Sequence, residues 1–182
     1  MAFSTRLRVI LGLAALMLAV QIYNAASGYS LVGHGILPRH LSGLQGIALA
    51  PLLHGSFAHL LSNLLPFLVL SWLVATEGVK RYAWVVILVC LFGGGLVWVF
   101  GRTSLHVGAS GLIFGLWTYL LARVWYQRSF ASLLVALIAL AGYSGLVLGF
   151  LPSPGVSFES HIGGALAGIF AARLLHAGQG KV

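Results

Sequence analysis

The chain reads as long apolar runs divided by short polar or glycine-rich breaks. Six runs stand out, near residues 7–26, 57–76, 82–101, 108–127, 129–150 and 158–175. Each approaches the roughly 20 residues that a helix needs to cross a bilayer. Leucine, alanine and glycine dominate these runs without an alternation of period two, so the pattern does not fit a β-barrel. It predicts an all-α, polytopic membrane bundle of six transmembrane helices. No linker, low-complexity stretch or fixed-period repeat divides residues 1–182, and a single domain is expected.

The breaks carry information of their own. The longest, residues 27–56, holds Gly28, Gly33, Gly35, Pro38, Gly43, Gly46 and Pro51 among Leu41, Leu44, Ile47 and Leu49. It is too broken to span a membrane and too apolar to float in water. Short helices lying in the outer leaflet against the bundle are the expectation. Pro152, Pro154 and Gly155 mark a short outer loop before the last run. The first run follows Arg6 and Arg8 and ends near Asn24-Ala25-Ala26-Ser27, an arrangement shared with cleaved secretory signals. It is longer than their apolar core of about 7–15 residues, so it is read as a retained transmembrane helix.

Composition agrees with the pattern. Of 182 residues, 60% are hydrophobic and 7% charged, where a soluble domain carries about a quarter charged residues. The mean hydropathy is +1.03. The net charge of +8 reports topology. Arg6, Arg8, Lys80, Arg81, Arg123, Arg128, Arg173 and Lys181 fall on one side of a six-span arrangement, and Arg39 and Arg102 on the other. The excess of Lys and Arg on cytoplasmic loops puts both termini inside. These residues sit in pairs at run ends and form no continuous patch for phosphates, so no nucleic-acid partner is expected. Cys90, the single cysteine, falls inside a run and reads as a small buried hydrophobe.

Polar side chains inside apolar runs are costly and by default mark function. Ser110 lies in Gly108-Ala109-Ser110-Gly111 at the start of the fourth run. Serine by itself also serves helix packing. At a helix N-terminus, however, free backbone N–H groups and the helix dipole favour developing negative charge beside it. Gly108 is read as leaving room for a substrate backbone. His161 opens the sixth run, with Gly164, Ala165 and Gly168 on its helical face. That stripe, with Gly111 and Gly115 on the fourth run, would let two helices approach closely and bring Ser110 to His161. Phe114, one turn below Ser110, would then pack against the imidazole. His161 also admits a bland reading, a histidine bonded to a backbone carbonyl. His59 and Asn63, four apart on the second run, both offer donors to an oxyanion.

The residues also bear on three other readings. His54, His59 and His161 are three conceivable metal ligands. Yet there is no His-Glu-x-x-His pattern, no nearby carboxylate to activate water, and a spacing of five separates His54 and His59 onto different faces. No metal or cofactor is expected. A charge-relay triad lacks its third member. The chain has no aspartate, and its carboxylates are Glu77 at the inner edge and Glu159, only two residues before His161. A Ser–His dyad remains, in which Ser110 attacks while His161 takes and later returns its proton. A transporter is disfavoured, because the intramembrane polar groups cluster at one face and line no path to the other.

His54…His59…Asn63, Gly108-x-Ser110-Gly111 and His161-x-x-Gly164-x-x-x-Gly168 together resemble the rhomboid intramembrane serine proteases, in order and spacing, over nearly the whole chain. The resemblance implies the minimal six-span bacterial form in the inner membrane. Its substrates would be single-span transmembrane proteins, cut near the outer face at small residues. It implies Ser110 as nucleophile, His161 as base, and His59, Asn63 and the Ser110 N–H as oxyanion donors, with His54 structural. Some rhomboids carry Trp-Arg in the first outer loop, absent here, and some have tyrosine at the position of Phe114. A catalytically inactive rhomboid-like protein that binds and routes membrane clients is the alternative.

Overall fold

A computed structural model of the chain describes residues 3–176. Each apolar run forms one helix: α1 (Phe3–Ala26), α2 (Phe57–Ala75), α3 (Val79–Phe100), α4 (Ser110–Gln127), α5 (Phe130–Phe150) and α6 (Phe158–His176). Helix α3 contains a π-turn over Val89–Gly93, and α5 tightens to a 3-10 helix from Ser144 to Phe150. Polar side chains and special backbone set the boundaries. Ser56 caps α2, its Oγ accepting from the His59 N–H at 3.0 Å, and Ser129 caps α5 in the same way. Between α4 and α5, Arg128 adopts a left-handed conformation (φ 47°) that turns the chain back sharply.

Among the described residues, α1, α2, α3 and α5 are long and apolar enough to cross a membrane. Helices α4 and α6 are less apolar because they sit at the centre. Every residue of α4 from Leu112 to Leu120 is buried, as are His161, Gly163, Gly164, Ala165, Ala167 and Gly168 on α6. A face enclosed by protein need not be apolar throughout, while α6 keeps Ile162, Leu166, Ile169 and Leu174 exposed on its other face.

The two central helices meet through glycine. A Cβ on Gly164 would overlap the Gly111 carbonyl, and one on Gly168 would overlap the Gly115 carbonyl. Across the same seam, Thr118 Oγ1 donates to the Ala165 carbonyl at 2.8 Å. The close approach expected from the small-residue spacing is therefore present, and it sets the distance between the α4 and α6 termini. Gly93, at the π-turn of α3, packs against Gly163 from the other side of α6.

The ends of the bundle segregate by chemistry. At one end Glu77 pairs with the buried Arg123, accepts from Tyr119 Oη at 2.9 Å and lies 3.7 Å from Arg81, with His176 alongside at 3.3 Å. This ties α2, α3, α4 and α6 together, and Phe3 of α1 stacks edgewise on Trp72 nearby. Lys181, counted on this side from the sequence, lies outside the described residues. At the other end, residues 27–56 form short helical turns over Ser30–His34, Leu41–Gly43, Gly46–Leu49 and Ala50–Leu52, as expected. Arg39 holds this connection to the end of α3, donating to the carbonyls of Val99 and Gly101. Asn24, fully buried, pins the end of α1 by donating to the His54 carbonyl (3.0 Å) and accepting from the Leu31 N–H (3.0 Å).

Candidate active site

Ser110 is the first residue of α4, so its backbone N–H has no partner four residues back within the helix. Gly108, at φ +112°, makes the turn that admits it. Two further bonds fix this turn: the Gly108 N–H donates to the Ala50 carbonyl (2.9 Å) and the Ala109 N–H to His54 Nε2 (3.3 Å). His54 thus acts on the serine through the backbone before it. It lies outside the helices and is completely buried. Burial pushes its pKa down to about 4, reinforced by His59 and opposed by the Leu52 carbonyl. The neutral ring is the form that can accept the Ala109 N–H.

His161, near the start of α6, faces Ser110 across the glycine seam. Its Nε2 lies 2.9 Å from Ser110 Oγ, and its Nδ1 lies 2.6 Å from the Gly149 carbonyl oxygen. A carbonyl only accepts, so Nδ1 carries the proton and Nε2 receives the serine hydroxyl. Phe114 stacks on the imidazole with centroids 4.2 Å apart and planes 3° from parallel. His161 is thus bonded to a backbone carbonyl through one ring nitrogen, and that bond aims the other at the serine. An imidazole held this way can take a hydroxyl proton and return it.

Ser110 and His161 open onto a cavity of about 700 Å³ lined with polar groups, among them Ser56, His59, Asn63, Arg102, His106 and Ser157. His59 and Asn63 therefore reach the same space as the pair. The Asn63 amide donates one N–H to the His59 carbonyl at 2.8 Å, which leaves its second for the cavity. Gly108 serves a different neighbour from the one expected. A Cβ there would lie 2.7 Å from His59 Cε1 and Nε2, so the space it leaves is taken by the His59 ring. The His161 ring nitrogens are bonded to the Gly149 carbonyl and Ser110, and Glu159 is not their hydrogen-bond partner. It pairs with Arg102, whose Nε lies 3.4 Å from its Oε1. His54 and His59 meet edge to face at 5.0 Å, and among the described residues no group of three or more His, Cys, Asp or Glu is disposed to hold a metal ion.

Sequence reasoning missed three contributors. Gly149 offers only a carbonyl, which no side-chain pattern reveals. Asn24 passed for part of a small polar break. His106 stood four residues before the serine as an unremarked loop residue, although a histidine in so apolar a chain was itself a signal.

The Rhomboid domain model matches residues 42–178, which include Ser110, His161, His54, His59, Asn63, His106 and Gly149. The chain belongs to the rhomboid family. An uncharacterized protein of Mycobacterium tuberculosis is 37% identical over 182 residues, covering 94% of this chain and 76% of that one. A counterpart in Mycobacterium leprae is also 37% identical, covering 94% and 72%. The chloroplastic Rhomboid-like protein 11 of Arabidopsis thaliana is 32% identical, over 67% of this chain and 49% of its own length. With its apolar spanning helices, this rhomboid chain is an integral membrane protein.

Proposed function

We propose that this rhomboid is an intramembrane serine endopeptidase that cuts single-span membrane proteins near the outer face, using Ser110 and His161. The observation that carries the reading is the 2.9 Å contact between Ser110 Oγ and His161 Nε2 at the wall of a polar cavity. Six crossings with both termini in the cytoplasm complete it. The distribution of basic residues supports that orientation.

In the proposed reaction Ser110 Oγ attacks the scissile carbonyl as its proton passes to His161 Nε2. The Gly149 carbonyl keeps Nδ1–H oriented and supports the imidazolium that forms. The oxyanion draws on the Ser110 backbone N–H, the free Asn63 N–H and His59. His161 then protonates the leaving amine, and the C–N bond breaks to leave an acyl-serine. Water, entering from the cavity, gives a proton to His161 and attacks the ester, and His161 returns that proton to Ser110 Oγ as the C–O bond breaks. No cofactor takes part.

The test is reconstitution of the purified chain in liposomes with a labelled single-span substrate. The wild type should cleave it, Ser110→Ala should not, and chelators should leave the rate unchanged. A wild type that binds such substrates without cutting them would replace this reading with a client-routing protein.

A further inference from the structure

The geometry points to His106 as a positioning residue for the Ser110–His161 pair: through Ser157 it fixes the first turn of α6, on which His161 rides. This rests on the protease reading above. His106 is buried in the segment joining α3 to α4. Its backbone pairs in both directions with Ile36, His106 N–H to the Ile36 carbonyl at 2.9 Å and Ile36 N–H to the His106 carbonyl at 3.0 Å, which anchors the segment to the long outer connection.

The ring is oriented by the same logic as His161. Nε2 lies 3.0 Å from the Arg102 carbonyl, which can only accept, so Nε2 carries the proton. Nδ1, 2.5 Å from Ser157 Oγ, therefore accepts the Ser157 hydroxyl. Ser157 precedes α6, and its carbonyl accepts the N–H of Ser160 (3.1 Å) and of His161 itself (3.3 Å). A shift of Ser157 thus reaches the His161 backbone through one hydrogen bond.

Ser157 and His106 also line the cavity, yet they do not form a second nucleophile. The Ser157 oxygen is saturated. It donates to His106, accepts the Ser160 N–H at 3.3 Å and lies 2.7 Å from Ser160 Oγ. Arg102, on the same segment, adds a second grip, its Nη2 donating to the Val156 carbonyl at 2.5 Å and its Nε facing Glu159. Residues 101–109 therefore lead directly into the nucleophile and, through His106 and Arg102, hold the turn that carries the base. A misplacement of about 1 Å costs about a hundredfold in such a pair, so one bracket referencing both partners matters to the rate.

The experiment compares His106→Leu, His106→Asn, Ser157→Ala and the His106→Leu/Ser157→Ala double variant with wild type, as purified full chains. Turnover of a single-span substrate and the labelling rate of Ser110 by a fluorophosphonate are read in protein whose thermal midpoint shows it folded. His106→Leu and Ser157→Ala should each lower kcat and labelling at least about tenfold with KM within about twofold. Their losses should not add in the double variant. His106→Asn, whose amide oxygen can accept from Ser157, should recover most of the rate. Wild-type kcat in His106→Leu, or losses that add and are shared by His106→Asn, would overturn the proposal. Ser157→Ala tests the same link if His106→Leu does not fold. The imidazole nitrogen resonances of His161, identified by their loss in His161→Ala, give a readout independent of activity and should shift in His106→Leu. If they do not move, the positioning role falls. If wild type neither cleaves nor labels at Ser110, the protease reading falls, and the resonances still decide the role of His106.

Discussion

The carbonyl oxygen of Gly149 lies 2.6 Å from Nδ1 of His161, where a catalytic triad would place a carboxylate. The tautomer is thus set by a neutral backbone group and the ring plane by Phe114, stacked at 4.2 Å. A neutral orienter spares the bundle a buried negative charge, whose desolvation would be expensive. Gly149 is also sterically constrained. A Cβ there would lie 2.6 Å from Phe114 Cζ and 3.0 Å from His161 Nδ1. Gly149→Ala should therefore lower kcat at least about tenfold with KM little changed. Wild-type kinetics in that variant would separate the Gly149 carbonyl from catalysis.

Asn63 tests the oxyanion assignment. Losing one such donor costs about 10²–10³ in turnover in soluble proteases. Here His59 and the Ser110 N–H would remain to share the charge, so Asn63→Ala should turn over at least about tenfold more slowly with a thermal midpoint close to wild type. The side chain also spends one N–H on its own helix, and a purely packing role would lower the midpoint and leave the rate of the folded protein intact.

The two carboxylates should behave differently. Glu77 faces Arg123, whose side chain is 3% exposed. Glu77→Gln leaves that guanidinium buried without its counter-charge, a loss of about 3 kcal/mol or more, visible as easier unfolding in mixed micelles. Glu159 pairs with Arg102, whose side chain is 45% exposed. Glu159→Gln should cost about 1 kcal/mol or less. Equal effects of the two substitutions would contradict the structure.

The glycine seam sets the distance between Ser110 and His161, so it should tolerate no side chain. Gly164→Ala drives a methyl group into the Gly111 carbonyl. Overpacking of this kind costs about 1–3 kcal/mol, and because the helices must part, cleavage should fall with stability. The control is Gly142→Ala on α5, where a Cβ meets nothing within 4 Å; it should unfold and cleave as wild type does.

His54 predicts a pH dependence. Its pKa is about 4 in the fold against 6.5 for the free side chain. Between these values the unfolded chain binds a proton that the folded chain does not. The stability contribution is therefore complete above about 6.5 and is lost as pH falls toward 4, by up to about 1.4 kcal/mol per unit. The difference in unfolding free energy between wild type and His54→Gln, followed from pH 7 to pH 4, isolates this group. A difference independent of pH would mean that His54 titrates alike in both states.

Much of this was legible in the chain. The six apolar runs became α1 to α6 with boundaries shifted by a few residues, because a bilayer leaves backbone polar groups little choice but a helix. Ser110, His161 and Asn63 were visible because a polar group amid apolar residues is too costly to be incidental. Gly164 and Gly168 were visible because small residues four apart mark a close helix contact.

Tertiary structure decided the rest. Gly149 enters through a carbonyl that every residue possesses, and only folding brings it to His161. Gly108 was read as space for a substrate, and packing gave that space to the His59 ring. The sequence puts Glu77 at the inner edge, and only α4 brings Arg123, 46 residues away, beside it. His106 looked like a loop residue until Ser157 met it from 51 residues away. The sequence determines which groups are too costly to leave unpartnered in a membrane. Which partner each one finds depends on distances between helices, and those are set by packing that no local pattern records.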